Sequence, residues 1–424
     1  MKPEAICKDP KSLKYVRGWS YHDQLNGLIS EAPHILPKRE SWPAGVEDIR
    51  EQEITRAGFQ PTAAHSACYL YRSHPGPGWR RDGARPISKE EVAPGWVTGM
   101  VQRTEVPESQ LPRKYKSQAA SPKGHCLQNL VTLFYNADVS AGVTQGSEPM
   151  PFFFRNADGD DLYFVHHGEG VIETELGLIG YEPGHMIWIP KGLAYRIVPM
   201  SEKHELFHFE NYGENFQKPD TSFTGDAAVY YHRNIEVPVS CYVPKTGDHE
   251  VVVKANGVFT AYTHPHHPMD VVGWDGTWFP FRLHVRDIQP ITSYKSHVPP
   301  SAYCMFCGTG FEYCAFVPRP VETGERSLPV PFDHINCDRD EVIFYSRGVF
   351  FSKDTSDEGT VTFHPRGVSH GPHPASLQRS LDRREKEGAF MFDGYFILLE
   401  TNRPLFPTKY AAEYEESSYI NSWQ

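Results

Sequence analysis

Two histidines and a carboxylate, His334, Glu341 and His370, sit in a pattern that the chain carries twice, and only the second copy holds all three. The first copy runs Asp158-Gly159-Asp160-Asp161-Leu162-Tyr163-Phe164, then Gly168, then Pro190-Lys191-Gly192-Leu193-Ala194-Tyr195. The second runs Asp338-Arg339-Asp340-Glu341-Val342-Ile343-Phe344, then Gly348, then Pro365-Arg366-Gly367-Val368-Ser369-His370. Laid over each other, the copies set Phe154 against His334, Asp161 against Glu341 and Tyr195 against His370. Two imidazoles and a carboxylate on one face of an ion, with the remaining positions open, are the donor set of oxygen-activating Fe(II) sites; Mn(II) accepts the same set. The first copy reads as scaffold and the second as a reaction centre.

The spacing constrains what must position these donors. Side chains alternate along a strand, so His334 and Glu341, seven apart, would face opposite sides of a regular one. A loop or bulge must intervene, and Asn336-Cys337-Asp338-Arg339-Asp340 has the composition for it. Asp340 is the rival carboxylate; the repeat frame and the following Val342-Ile343-Phe344-Tyr345 run favour Glu341. In a chain with 21 His, chance pairs are expected, and the duplicated frame is what separates these three from the others. Thr263-His264-Pro265-His266-His267-Pro268 reads as a rigid, solvated loop, and His166-His167 as an exposed turn. His204 and His208 share one strand face, and Cys304, Cys307 and Cys314 lack the second cysteine pair that a structural zinc site requires.

Stepping outward, short β-branched and aromatic runs separated by Gly, Pro, Asp and Asn begin near residue 125, as in 130–135, 170–174, 186–189 and 195–198. Residues 251–260 read as two strands joined at Asn256-Gly257, and 376–388 as a helix closed by Gly388. The expected fold is dominated by β structure with little helix: two jelly-roll, cupin-like barrels (a bicupin) preceded by a loop-rich arm. The expected boundaries are 1–120 for the arm, 121–285 for a first barrel whose metal site is lost, and 286–424 for a second that carries it. A net charge of -11 without a basic run argues against nucleic acid, and no apolar stretch is long enough to span a membrane. Eight scattered Cys fit reduced thiols, and the N-terminus lacks a secretory pattern, so the expected setting is cytoplasmic.

The runs Asn156-Ala157-Asp158-Gly159-Asp160, Val271-Val272-Gly273-Trp274-Asp275-Gly276, His334-Ile335-Asn336-Cys337, Arg347-Gly348, Ser369-His370-Gly371-Pro372 and Ala389-Phe390-Met391-Phe392 resemble homogentisate 1,2-dioxygenases. The resemblance runs from about 125 to 420 and is weak before that. It implies two β barrels, one Fe(II) per subunit held by His334, Glu341 and His370, and a homo-oligomer of trimers paired into hexamers. It also implies His297 as an acid/base group near the substrate and His364 as a further catalytic histidine. Two departures bear on the substrate. Phe350 replaces a substrate-contacting Tyr, while Lys353 keeps its place, and an extra residue lies between His334 and Glu341. Losing one hydroxyl partner changes which analogue a site accepts, because unpaired buried polar groups are costly.

The implied reaction is ring cleavage by O2 of homogentisate or a close 2,5-dihydroxyphenyl relative to a maleyl-type product, as in aromatic amino-acid catabolism. His297 would take a ring hydroxyl proton, and Lys353 with His364 would hold the acidic arm. Gentisate and other hydroquinones are alternative substrates. An O2-independent cupin isomerase or decarboxylase and a non-catalytic binding protein are the rival classes.

Overall fold

The computed structural model describes residues 5–57, 64–80, 83–98, 110–116, 123–213, 217, 229–348, 352–354 and 358–423. The sequence repeat is a repeat of topology. In the first half the strands His185–Ile189, Asp160–His167, Glu205–Asn211, Val139–Gln145 and Val131–Tyr135 lie side by side in that order. In the second half Thr360–His364, Asp340–Arg347, Tyr395–Thr401, Phe311–Phe316 and Cys304–Gly308 repeat the order strand for strand. Every neighbouring pair in both runs is antiparallel. Facing the first run is a second sheet that includes Gly170–Thr174, Ala194–Pro199 and Phe153–Asn156. These are two cupin-type barrels, the second with its facing sheet reduced, among the described residues, to short pairings such as the bridge between His334 and His370.

The two barrels share one core. Glu205–Asn211 is buried along its whole length, because one face fills its own barrel and the other meets its neighbour. Residues at equivalent places in the repeat touch across this seam. Phe164 and Phe344 meet edge to face at 5.9 Å, and His166 Nδ1 lies 3.2 Å from Ser346 Oγ. Contact between equivalent residues places an approximate two-fold axis between the barrels. Phe207 stacks on Phe344 at 5.0 Å, which adds to the apolar area removed from water at the centre of the molecule.

The hairpin read from sequence forms from Thr246–Ala255 and Val258–His266, with Asn256 at φ 52° and Gly257 at φ 70° in its turn. Two successive positive φ values define the turn that matches strand twist, and glycine adopts the second without a Cβ clash. Gly257→Ala is therefore expected to cost about 1–2 kcal/mol of stability, read from the denaturant midpoint. The helix forms at Pro374–Glu387, with proline in its first turn and Gly388 at φ 76° beyond its end.

Three expectations need correction. The first 120 residues contain long strands, Arg50–Ala57 and Ala64–Arg72, paired with each other and with Val271–Gly276. The segment 263–268 is not a loop: its residues up to His266 continue the strand Val258–His266, and His266 and His267 are buried. Pro265 is accommodated there because the pairing register shifts beside it, between Thr246 and His249, where a ladder bond is missing in any case. His166-His167 ends the strand Asp160–His167, at a register shift, with His166 buried on the seam.

The strand Arg113–Lys116 pairs with Thr360–His364, in the place that Phe281–His284 takes beside His185–Ile189. We propose the boundaries 121–285 and 286–424 for the two barrels on the strength of this internal equivalence, with that one strand of the arm lent to the second. Among the described residues no helix is long and apolar enough to cross a membrane.

Candidate metal centre

The repeat can be followed atom by atom into the site. Phe154 pairs with Tyr195 in the first barrel, and His334 pairs with His370 in the second through reciprocal backbone bonds of 2.9 and 3.0 Å. Two residues on, Asn156 O accepts Gly192 N at 2.7 Å and Asn336 O accepts Gly367 N at 2.8 Å. The side chains then turn the chain: Asn156 Oδ1 accepts the N–H groups of Asp158 and Gly159, and Asn336 Oδ1 those of Asp338 and Arg339. This Asx turn is the break that the His334-to-Glu341 spacing demanded.

The next aspartate anchors the Pro-x-Gly turn in both halves. Asp160 Oδ1 accepts Lys191 N at 2.6 Å, and Asp340 Oδ1 accepts Arg366 N at 2.9 Å. The second oxygen of Asp340 accepts Leu405 N at 2.7 Å, so both its oxygens face backbone donors and neither is left for an ion. Glu341, one residue later, alternates to the barrel interior. Its neighbours there are His334 and His370, and the donor atoms of the three lie within 4.8 Å of one another.

The imidazoles are turned for ligation. His334 Nδ1 lies 3.2 Å from Phe332 O, and His370 Nδ1 lies 2.9 Å from Val368 O. A ring nitrogen facing a carbonyl must carry the proton, which leaves each Nε2 as a bare lone pair. His370 Nε2 is buried without a hydrogen-bond partner and stands 3.8 Å from Glu341 Oε1. Burial raises the Glu341 pKa, but the hydrogen bond from His364 and the three nearby imidazoles outweigh it and hold the carboxyl down at about 2. An ionised carboxylate and two available imidazole lone pairs, partly desolvated, fit a divalent ion such as Fe(II).

In the first barrel the equivalent space is filled by hydrogen bonds. Asp161 Oδ1 lies 2.9 Å from His208 Nε2, its Oδ2 accepts Tyr195 O–H at 3.0 Å, and Tyr195 also meets Tyr163 O–H at 2.7 Å. His208, on the next strand, thus faces the carboxylate where the second barrel has an open ligand set.

His364 lines the cavity, yet both its nitrogens are occupied: Nδ1 lies 2.7 Å from Glu341 Oε1 and Nε2 lies 3.2 Å from Tyr419 O–H. Burial pushes its pKa down to about 3 and pushes the Tyr419 phenol well up. Both groups are therefore neutral, and the proton order is fixed: Tyr419 donates to His364, which donates to Glu341. The expectation that His364 holds a substrate's acidic arm conflicts with this geometry, since it has no donor left to offer. Lys353 is buried, donates to Gly371 O at 3.1 Å and lies over the Trp423 ring at 5.0 Å; burial lowers its pKa to about 8 against the pull of Glu341 and Asp333. Position 350 lies outside the described residues, so the consequence of Phe350 has no structural account.

His297 lines the same cavity as the donors. Its Nδ1 is 2.9 Å from Glu322 Oε1, which Arg319 Nη1 also reaches at 2.9 Å. Arg319 Nη2 also lies 3.2 Å from Nδ1, but the carboxylate contact is the shorter and would be repulsive to a bare nitrogen, so Nδ1 carries the proton and Nε2, buried and unpartnered, presents a lone pair. Phe316, Phe332, Phe392 and Phe396 supply the apolar lining of this cavity. Glu322, Arg319, Tyr419 and Trp423 have no mark in the sequence. Arg319 stands on the two-residue strand Arg319–Pro320, and Tyr419 and Trp423 on the 3-10 helix Ser417–Trp423; only the fold brings the four against residues that line the cavity.

A profile described as homogentisate 1,2-dioxygenase N-terminal matches residues 56–285, more than half of the chain. The chain belongs to the homogentisate 1,2-dioxygenase family. A "Putative dioxygenase" of Saccharolobus solfataricus is 34% identical over 297 residues, covering 69% of this chain and 76% of that protein. A homogentisate 1,2-dioxygenase of Rhizobium leguminosarum is 25% identical, covering 97% of this chain and 93% of its own length. The match therefore extends through the second barrel and its donor cluster, beyond the segment that the family profile covers. Among solved structures, a cupin 2 conserved barrel domain protein from Leptotrichia buccalis aligns with 72% of this chain and 100% of its own at 11% identity and a TM-score of 0.30.

Proposed function

We propose that the protein is an Fe(II)-dependent dioxygenase that opens the ring of homogentisate or a closely related 2,5-dihydroxyphenyl compound. One observation carries the reading: the lone pairs of His334 and His370 and the carboxylate of Glu341 converge in an aromatic-lined cavity that His297 also lines. His334, Glu341 and His370 would hold the metal. When bound, Fe(II) supplies the electronic route by which an electron-rich ring reacts with O2.

The chain's own residues account for the rest. The Phe walls exclude water and align the ring plane. His297 Nε2 accepts the proton of a ring hydroxyl, while Glu322 fixes the tautomer through Nδ1 and stabilises the imidazolium that forms. Tyr419 and His364 hold Glu341 in one orientation. Lys353, with Arg319 one of two cations lining the cavity among the described residues, would meet a carboxylate arm on the ring. In the overall reaction one ring C–C bond breaks, and both atoms of O2 enter the maleyl-type product.

Product formed under labelled O2 should contain both labelled atoms by mass spectrometry; product without label would place the chemistry outside dioxygenation. His297→Gln should keep its full iron while turnover falls on the order of 100-fold, the contribution of a positioned acid/base group. Loss of iron in that variant would instead make His297 a ligand. Trimers paired into hexamers belong to the same proposal, and light scattering on the intact protein measures that assembly.

A further inference from the structure

The histidine-rich segment 263–268 takes no part in the centre described above. The strand Val258–His266 runs past the residues that follow the strand Ala64–Arg72, and there His74, His266 and Asp270 bring their donor atoms within 4.8 Å of one another. Asp270 Oδ2 lies 3.4 Å from His74 Nδ1 and 3.5 Å from His266 Nε2. Donors bound to one tetrahedral ion at zinc–ligand distances stand roughly 3.3 Å apart. These separations are closer to that value than the 3.8 Å between Glu341 and His370 in the main centre.

The carboxylate itself points to a ligand. Asp270 is 1% exposed, and its Oδ2 accepts no hydrogen bond. A buried carboxylate oxygen without a donor is costly, and an ion removes that cost. The other oxygen is held by Arg72, which also bonds Glu175 Oε1 at 2.7 Å. An outer partner that fixes a carboxylate's orientation is a recurrent feature of metal sites. The rings of His74 and His266 are stacked, 4.1 Å apart, and His74 is about a third exposed, which leaves a path from solvent. Ser73 Oγ, 2.9 Å from His74 Nδ1, is the competing contact, and its hydroxyl can rotate away. In another donor group the carboxylate oxygen that faces the imidazole is already engaged: Glu182 Oε1, 4.0 Å from His284 Nε2, accepts from Arg286 at 3.2 Å.

We propose that His74, His266 and Asp270 form a second metal site, which takes a divalent ion of the zinc class and ties the N-terminal hairpin to the first barrel. Its role is to join segments far apart in sequence, with three protein donors and the fourth position of the ion left to water. Ion binding to the folded chain alone stabilises it by mass action.

The test uses metal-stripped, full-length protein with Zn(II) as the only probe, and metal per chain is read by plasma mass spectrometry. Wild type should bind two zinc ions, His370→Ala one, His74→Ala one, and the double variant none. Zinc should also raise the thermal midpoint of His370→Ala and leave that of the double variant unchanged, a readout that holds even if one single variant is poorly folded. One ion in the wild type with none in His370→Ala would overturn the proposal, as would two ions in His74→Ala or a midpoint shift that survives in the double variant.

Discussion

His370→Ala should abolish iron retention and turnover together. The variant removes one of three protein donors, and since losing even an outer partner of a metal ligand costs 10–100-fold in affinity, losing a ligand should cost on the order of 100-fold or more. The fold should survive, because His334 and His370 are joined through their backbones and not their rings. Beside this variant, Asp340→Asn should keep its iron. Asp340 spends both oxygens on the backbone N–H groups of Arg366 and Leu405, and so acts as an anchor for the turn rather than a donor to the ion. Iron content per chain and oxygen uptake, measured on the same samples, check both statements. Full iron in His370→Ala, or iron lost with Asp340 and kept without Glu341, would overturn the ligand assignment.

Lys254→Ala should destabilise the protein by about 3–5 kcal/mol, the cost of leaving a buried charge without its partner. In the first barrel Lys254 Nζ bonds Glu210 and lies 3.3 Å from Asp158, with all three side chains almost completely buried. Its ammonium also lies over the Trp96 ring at 4.4 Å, and Trp96 Nε1 donates to Glu210 at 2.8 Å. Glu210 pairs across the strands with Asp161, the residue equivalent to Glu341, so the scaffold barrel keeps its carboxylates and balances them with a lysine and a histidine. Without Lys254, Glu210 retains only neutral donors. The urea midpoint reads the loss, and a change below about 1 kcal/mol would mean that solvent or a rearranged neighbour compensates for the missing charge.

The convergence of His334, Glu341 and His370 was legible because duplication acts as an internal control. Topology is inherited by both copies, so the positions where the copies differ in donor type stand out, and the pairing of His334 with His370 as Phe154 pairs with Tyr195 is what that comparison anticipates. The hairpin turn at Asn256-Gly257 and the helix closed by Gly388 were legible for a different reason: their backbone geometry demands particular residues. The second layer of the site was not. Glu322 reaches His297 and Tyr419 reaches His364 from segments without periodicity, and a partner across such a distance leaves no spacing signal. The N-terminal strands were hidden by Pro, Gly and charge in the surrounding sequence, and the edge strand Arg113–Lys116 is too short to show alternation. His266 and His267 read as solvated because prolines flank them, yet a bulged pairing absorbs Pro265 and buries both rings.

Oxygen consumption by the Fe(II)-reconstituted protein, with homogentisate, gentisate and hydroquinone supplied separately, tests the central claim most directly. Uptake with homogentisate or a substituted relative, absent without iron and absent in His370→Ala, is the expected result. No uptake with any of the three rings, in protein that holds one iron at this centre, would contradict it.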